Sequence, residues 1–229
     1  MVDVGRGTDT IRRMTLLQIT SVDARLSRPG LLAAATGLVR RALGLGLLSD
    51  REPIERLDLE LILSIAREAS AAGVGQDAAI ALIDQERGTS ARLETLIVRL
   101  DGALAESPMP GRELHELLRV YDYDGLASLV GTSVASLRRY AGATRTVPDA
   151  IADRIHFVAL VTSDLAGSYN EFGLRRWWDR PRATLGGRSP SAVLGSDWSP
   201  DDEEAASVAA LAASLVGSDR ASVGSDRAS

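Results

Sequence analysis

A chain of 229 residues with 45% hydrophobic side chains is long enough for one large or two modest folded domains and too apolar for a disordered polymer. Its formal net charge of −5 argues against an indiscriminate nucleic-acid coat protein, although arginine outnumbers acid between Arg138 and Arg188 while Asp197 to Glu204 is strongly acidic. Cysteine is absent, and with no signal pattern or apolar run of spanning length the expectation is a cytoplasmic protein with no disulfide, no thiolate metal site and no membrane partner.

In chain order the first ten residues are weakly patterned, and Thr15 to Thr20 has the character of a short strand. Pro29 opens a helix that should reach Leu43, where Gly44-Leu45-Gly46 stops it. The Gly-x-Gly there lacks the third glycine and the preceding strand of a phosphate loop, so it reads as a helix stop. Pro53 begins a further helix in which Ile54, Leu57, Leu61, Ile65, Ala69 and Ala72 recur at helical spacing. Two more helices are expected over Asp77–Gln85 and Ser90–Ala105. The run Ser107-Pro108-Met109-Pro110-Gly111 cannot continue a helix and marks the best boundary in the chain. Residues 1–107 therefore read as a helical domain or extension, suited to core packing and self-association.

After that boundary, Leu114, Leu117, Leu118 and Tyr121 form one helix face. The next stretch, Asp124 to Tyr140, has the spacing of a helix-turn-helix. Ala127 is small where two helices must approach, Gly131 falls at the turn, Ser133 or Thr132 can cap the second helix, and Leu137 returns to the core. In that motif the second helix enters the major groove of DNA, which would turn Ser133, Val134, Ala135, Arg138 and Arg139 toward the duplex. Either arginine can pair with guanine or hold phosphate, and Arg145 in the following loop is a further phosphate candidate. A helix opened by Pro148, with Ile151, Ile155, Val158, Thr162 and Leu165 inward and Gly167 at its end, completes a unit over residues 108–167.

The last part is organised around Leu174 to Leu194. Trp177 and Trp178 end an amphipathic segment, Pro181 stops it, Gly186 and Gly187 make a corner, and Ser189-Pro190 begins a new helix. Ser199-Pro200-Asp201-Asp202-Glu203-Glu204 starts another, with acids against the positive end of its dipole. Gly-Ser-Asp-Arg-Ala-Ser, written twice in residues 217–229, reads as a mobile tail.

Taken together, Trp177-Trp178, Pro181, Leu185-Gly186-Gly187-Arg188-Ser189-Pro190 and Leu194 resemble the toxin-binding domain of the Xre/MbcA/ParS antitoxins, which carry a helix-turn-helix in front of it. The resemblance covers roughly the second half of the chain. It implies an all-α protein with a helical N-terminal region, a helix-turn-helix unit and a toxin-binding domain over residues 168–216. It also implies two tasks: neutralising a cognate toxin, and repressing the module's own operon by binding operator DNA. The toxin would be of the RES type, which degrades NAD, or a PIN-domain ribonuclease. Trp177, Trp178, Arg188 and Trp198 would then lie at or behind the toxin contact, and a homodimer or a higher hetero-oligomer with toxin is expected. The competing reading is a stand-alone transcription regulator whose N-terminal helices sense a ligand or a partner.

An enzyme is not expected. The two histidines, His115 and His156, sit beside apolar stripes and read as structural, and no paired-histidine spacing, nucleophile elbow or Walker loop is present. No metal or cofactor is implied.

Overall fold

The computed structural model describes residues 17–48, 53–84, 89–166 and 168–222. Those residues form eleven α-helices and one small sheet, an all-α fold. Strand β1 (Leu17–Val22) pairs in parallel with β2 (Ile54–Leu57), and α1 (Pro29–Gly44) lies between them in sequence. The strand expected near Thr15 is thus present, with Thr15 and Leu16 outside the described residues.

The second strand corrects the helix expected from Pro53 onward. Ile54 and Leu57 belong to β2, both inward-facing at its ends, and α2 (Leu59–Ala71) begins only after Asp58, whose carboxylate accepts the Leu61 amide at 2.9 Å. A short spacing between apolar side chains fits a helical turn, but here the sheet partner decides the conformation and the Asp58 cap sets where the helix starts. Helices α3 (Gln76–Ile83) and α4 (Ser90–Glu106) follow as the sequence indicates.

The chain turns through Ser107–Met109 into α5 (Pro110–Val120), with proline in the first helical turn. Next come α6 (Tyr123–Leu129), α7 (Val134–Ala141) and the long α8 (Asp149–Leu165). Short helices α9 (Glu171–Trp177) and α10 (Pro190–Leu194) lead to α11 (Glu203–Ser222). The bounds of α11 take in the first copy of the repeat assigned to a mobile tail, and residues 223–229 lie outside the described residues, as do Gln85 and Gly167. Pro200 precedes this helix rather than opening it. Ser199–Asp202 forms a turn in which the Asp202 carboxylate accepts the Ser199 amide at 2.7 Å.

Helix α8 is the centre of the fold. It packs against α1, α5 and α11, and its buried side chains go round the whole helix instead of along one stripe. Arg154, His156, Thr162 and Ser163 are therefore buried beside the expected apolar row. At the α1 crossing the backbones come so close that a Cβ on Gly44 would stand 2.5 Å from that of Ser163, and the Ser163 hydroxyl donates to the Arg40 carbonyl at 3.0 Å. Arg40 also pairs with Asp164 at 3.6 Å. Gly44 thus does more than end a helix. It admits α8, and the apolar core runs unbroken from Leu26 to Ala212 across the turn at Ser107–Met109.

Candidate nucleic-acid interface and the tryptophan corner

Helices α6 and α7 are joined by a tight turn whose parts are all local. Asp122 caps α6 by accepting the Gly125 amide at 2.7 Å, and Ser133 caps α7 by accepting the Ser136 amide at 3.1 Å. Gly131 between them has φ +67°, and the Thr132 amide reaches back to the Ala127 carbonyl at 2.9 Å, closing the αL turn that ends α6. Ala127 and Leu137 are buried, as the spacing demands. The outer face of α7 carries Ser133, Ala135, Arg138 and Arg139, all exposed, with Val134 half-buried at its edge.

The two arginines of this face, and Arg145 in the loop after it, make light contacts. Arg138 lies over the Tyr123 ring at 5.3 Å, Arg139 reaches the Ser136 hydroxyl at 3.4 Å, and Arg145 lies over the Tyr140 ring at 5.8 Å. The loop that presents Arg145 turns on Ala143 at φ +53°, the one non-glycine residue with positive φ among those described. Gly142, the residue suited to that role, takes an ordinary negative φ instead.

Behind the turn sits a contact that sequence reasoning missed. Arg154 of α8 donates through Nε to the Trp198 carbonyl at 2.6 Å, through Nη2 to Asp197 Oδ1 at 3.0 Å and through Nη1 to the Val130 carbonyl at 3.5 Å. Trp198 in turn donates its indole N–H to the Leu129 carbonyl at 2.9 Å, while Phe157 meets its ring edge-on at 4.9 Å. Both open carbonyls at the end of α6 are thus taken up by the segment before α11 and the arginine it holds. A Cβ on Gly131 would stand 2.7 Å from the Ser196 carbonyl and 2.5 Å from Arg154 Nη1. Glycine here satisfies both a backbone angle and a close approach. The only hint in the sequence was a charged residue one place before Ile155 of the apolar row of α8.

The tryptophan corner is built around α9. On α9 the row Leu174, Trp177 and Trp178 is buried, and the row Phe172, Arg175 and Arg176 is exposed. Trp178 donates its indole N–H to the Tyr121 hydroxyl at 2.9 Å, and that hydroxyl meets Thr162 of α8 at 2.9 Å. Burial pushes the Tyr121 pKa above its ordinary value, so the phenol stays neutral and serves as a link between α5, α8 and α9. The two indoles meet edge-to-face at 5.1 Å, and Arg182 covers Trp177 at 5.6 Å.

The backbone of the corner closes on itself. Gly186 and Gly187 have φ +64° and +79°, the Arg182 amide bonds the Arg188 carbonyl at 2.9 Å, and the Ser191 amide bonds the Trp178 carbonyl at 2.9 Å. Ser189 caps α10 as expected. Trp177, Trp178 and Trp198 are at most 2% exposed, which puts all three indoles behind a surface and not on it. Arg188 is exposed, but its guanidinium donates to the carbonyls of Ala192 and Val193 in its own corner.

Of the two histidines, His115 is exposed and His156 is buried. His156 Nδ1 lies 2.6 Å from Glu113 Oε1, and Nε2 lies 2.9 Å from the Ala105 carbonyl. A Glu113 carboxylate and the Ala105 carbonyl both accept, an arrangement that favours the imidazolium form of the ring. Burial opposes that charge, yet Glu113 and the Ala105 carbonyl outweigh it and hold the His156 pKa above its ordinary value. Glu113 Oε1 also accepts the Met109 amide at 2.9 Å, fastening the turn between α4 and α5. Among the described residues no three histidine or carboxylate side chains gather as a metal site, and no helix is long and apolar enough to cross a membrane.

No protein-family model, curated protein or solved structure matches the chain.

Proposed function

We propose that this chain is the antitoxin of a type II toxin–antitoxin module, binding operator DNA through α7 and neutralising its toxin through the part of the chain that follows α8. The observation that carries the DNA half is the outer face of α7: Ser133, Ala135, Arg138 and Arg139 stand exposed on a capped helix, set at a fixed angle by the buried Ala127 and Leu137 and the turn at Gly131. A short rigid helix with arginines on its free face has the shape and charge to enter a major groove. The toxin half rests on the resemblance of the Trp177–Leu194 corner to the Xre/MbcA/ParS domain, with a RES-type NAD-degrading toxin or a PIN-domain ribonuclease as partner. The Arg154–Trp198 clamp supports a functional link between the halves, because it ties the turn before α7 to the segment before α11.

Burial of all three indoles favours a second reading, a DNA-binding regulator with no toxin to neutralise, since it removes the strongest side chains for a direct protein contact. Co-expression with the product of the adjacent gene decides between the two. A stable complex that restores growth establishes the antitoxin, and loss of NAD against cleavage of RNA then identifies the toxin's chemistry. Operator binding without complex or rescue leaves the regulator. Arg138→Ala and Arg139→Ala should each weaken operator binding by about 1–3 kcal/mol while leaving toxin binding intact.

A further inference from the structure

We infer that α9 carries a second row of DNA contacts, in which Arg175 and Arg176 hold phosphodiester groups flanking the stretch read by α7. The inference rests on the DNA-binding reading above and extends it to a surface outside the two-helix unit.

Three observations carry it. The first is the division of α9 into two faces. Leu174, Trp177 and Trp178 are anchored in the core, so Arg175 and Arg176 are turned outward on a helix that cannot roll. The second is adjacency. Trp178 bonds Tyr121, two residues before the start of α6; Tyr123, in the first turn of α6, carries Arg138 of α7 over its ring. Arg175 is near enough for its charge to act on the Tyr121 hydroxyl. The anchor of α9 and the ring that carries Arg138 thus both belong to the junction of α5 and α6, and the first helix of such a unit crosses the backbone when the second occupies a groove.

The third observation is where the neighbouring acids are spent. Between Arg138 and Arg188 there are nine arginines and five acids. Asp149 and Glu171 sit in the first turns of α8 and α9, and Asp164 is paired with Arg40. Asp153 lines the hollow between Pro108 and Pro200, and Asp179 accepts the Ser191 hydroxyl at 3.1 Å. Asp122 and Asp124 also belong to a helix start, where the dipole and the Gly125 amide offset their charge. What α9 turns outward is Arg175, Arg176 and the Phe172 ring, over which the Arg176 guanidinium lies at 5.4 Å. An arginine fork on a fixed helix is suited to phosphate oxygens, and such contacts add affinity without reading sequence.

The test uses the full chain and two labelled duplexes of equal length, one covering the DNA upstream of its own coding sequence and one of scrambled sequence. Arg175→Gln/Arg176→Gln should weaken binding to both duplexes by a similar factor, on the order of tenfold at low salt. It should also lower the slope of log affinity against log salt by about 2, one counterion for each lost phosphate contact. Arg175→Lys/Arg176→Lys should recover most of both, since lysine keeps the charge. Both arginines are exposed, so an unchanged melting curve is expected for each variant. Phe172→Ser removes the ring over which Arg176 lies and should weaken DNA binding by less than the glutamine pair does.

If the wild-type chain binds the upstream duplex and the glutamine pair leaves affinity and salt slope unchanged, this inference fails while the α7 reading stands. The same holds if the glutamine pair, or Phe172→Ser, breaks a complex with the toxin and spares the DNA, which would assign the face to a protein partner. If the wild-type chain binds neither duplex, both readings fall together.

Discussion

The outer face of α7 and the tryptophan corner are two stretches that sequence reasoning marks as contact surfaces, and the fold treats them oppositely. Helix α7 buries Leu137 and Tyr140, packs Val134 at the edge of the core and leaves both arginine side chains exposed. The corner commits its largest side chains: Trp177, Trp178 and Trp198 are buried, and Arg188 is turned back on its own backbone. The difference lies in what stands behind each. One row of α7 seats it against the two-helix unit, whereas α9 closes over the end of α5 and reaches α8 through Tyr121, and the segment before α11 closes over α6 and α8, each with a large side chain.

The sharpest way to break that contrast is to truncate the indoles. Trp177→Ala and Trp178→Ala should each cost about 3–5 kcal/mol in stability, read as a shift of the denaturation midpoint. A loss of partner binding with stability unchanged would instead make them surface anchors. Arg154→Met comes next. It leaves the Trp198 and Val130 carbonyls without their donor in a buried place and should cost about 2–3 kcal/mol, with DNA affinity falling alongside because the turn before α7 loosens.

Helix α8 backs both regions, and His156 tests its role there. His156→Gln removes a buried charged pair of hydrogen bonds and should cost about 1.5–3 kcal/mol in acid solution. The sign with pH follows from the raised pKa. The stabilisation is fully present below the unfolded value near 6.5 and is lost as pH rises through the higher folded value. Thermal stability measured from pH 6 to pH 9 should therefore fall more steeply for the wild type than for the variant. Parallel curves would show that the ring is not charged in the folded state.

Smaller effects sharpen the picture of α7. Ala143→Gly relieves a left-handed conformation at the loop bearing Arg145 and should stabilise by about 1 kcal/mol in the same denaturation experiment. Arg138→Ala and Arg139→Ala should change stability by no more than about 0.5 kcal/mol, as befits exposed side chains whose worth lies in binding. A larger loss for Arg138 would mean that its stacking on Tyr123 is structural.

Much of this was legible in the chain because it depends on near neighbours. The helix opened by Pro29, the caps at Ser133 and Ser189, the turn at Gly131 and the glycine corner at Gly186-Gly187 are each set by residues within a turn or two. So was the face of α7, because a single apolar row at helical spacing leaves only one side free. Strand β2 was not legible: four residues with apolar ends suit a strand or a helical turn equally, and only the pairing with β1, across α1, chooses.

The helical class, the α6–α7 unit and the corner after α9 follow from the order of residues, since propensity, capping and backbone freedom act over short distances. Packing settled the rest: that Gly44 admits α8, that Arg154 closes the end of α6, that His156 is buried between Glu113 and the Ala105 carbonyl, and that the tryptophans face inward. Each of those needs a partner far along the chain. Arg154 meets Val130 across 24 residues, His156 meets Glu113 across 43, Trp178 meets Tyr121 across 57 and Trp198 meets Leu129 across 69. No local preference of a tryptophan or an arginine encodes such a partner, because the contact exists only once the helices have closed around α8.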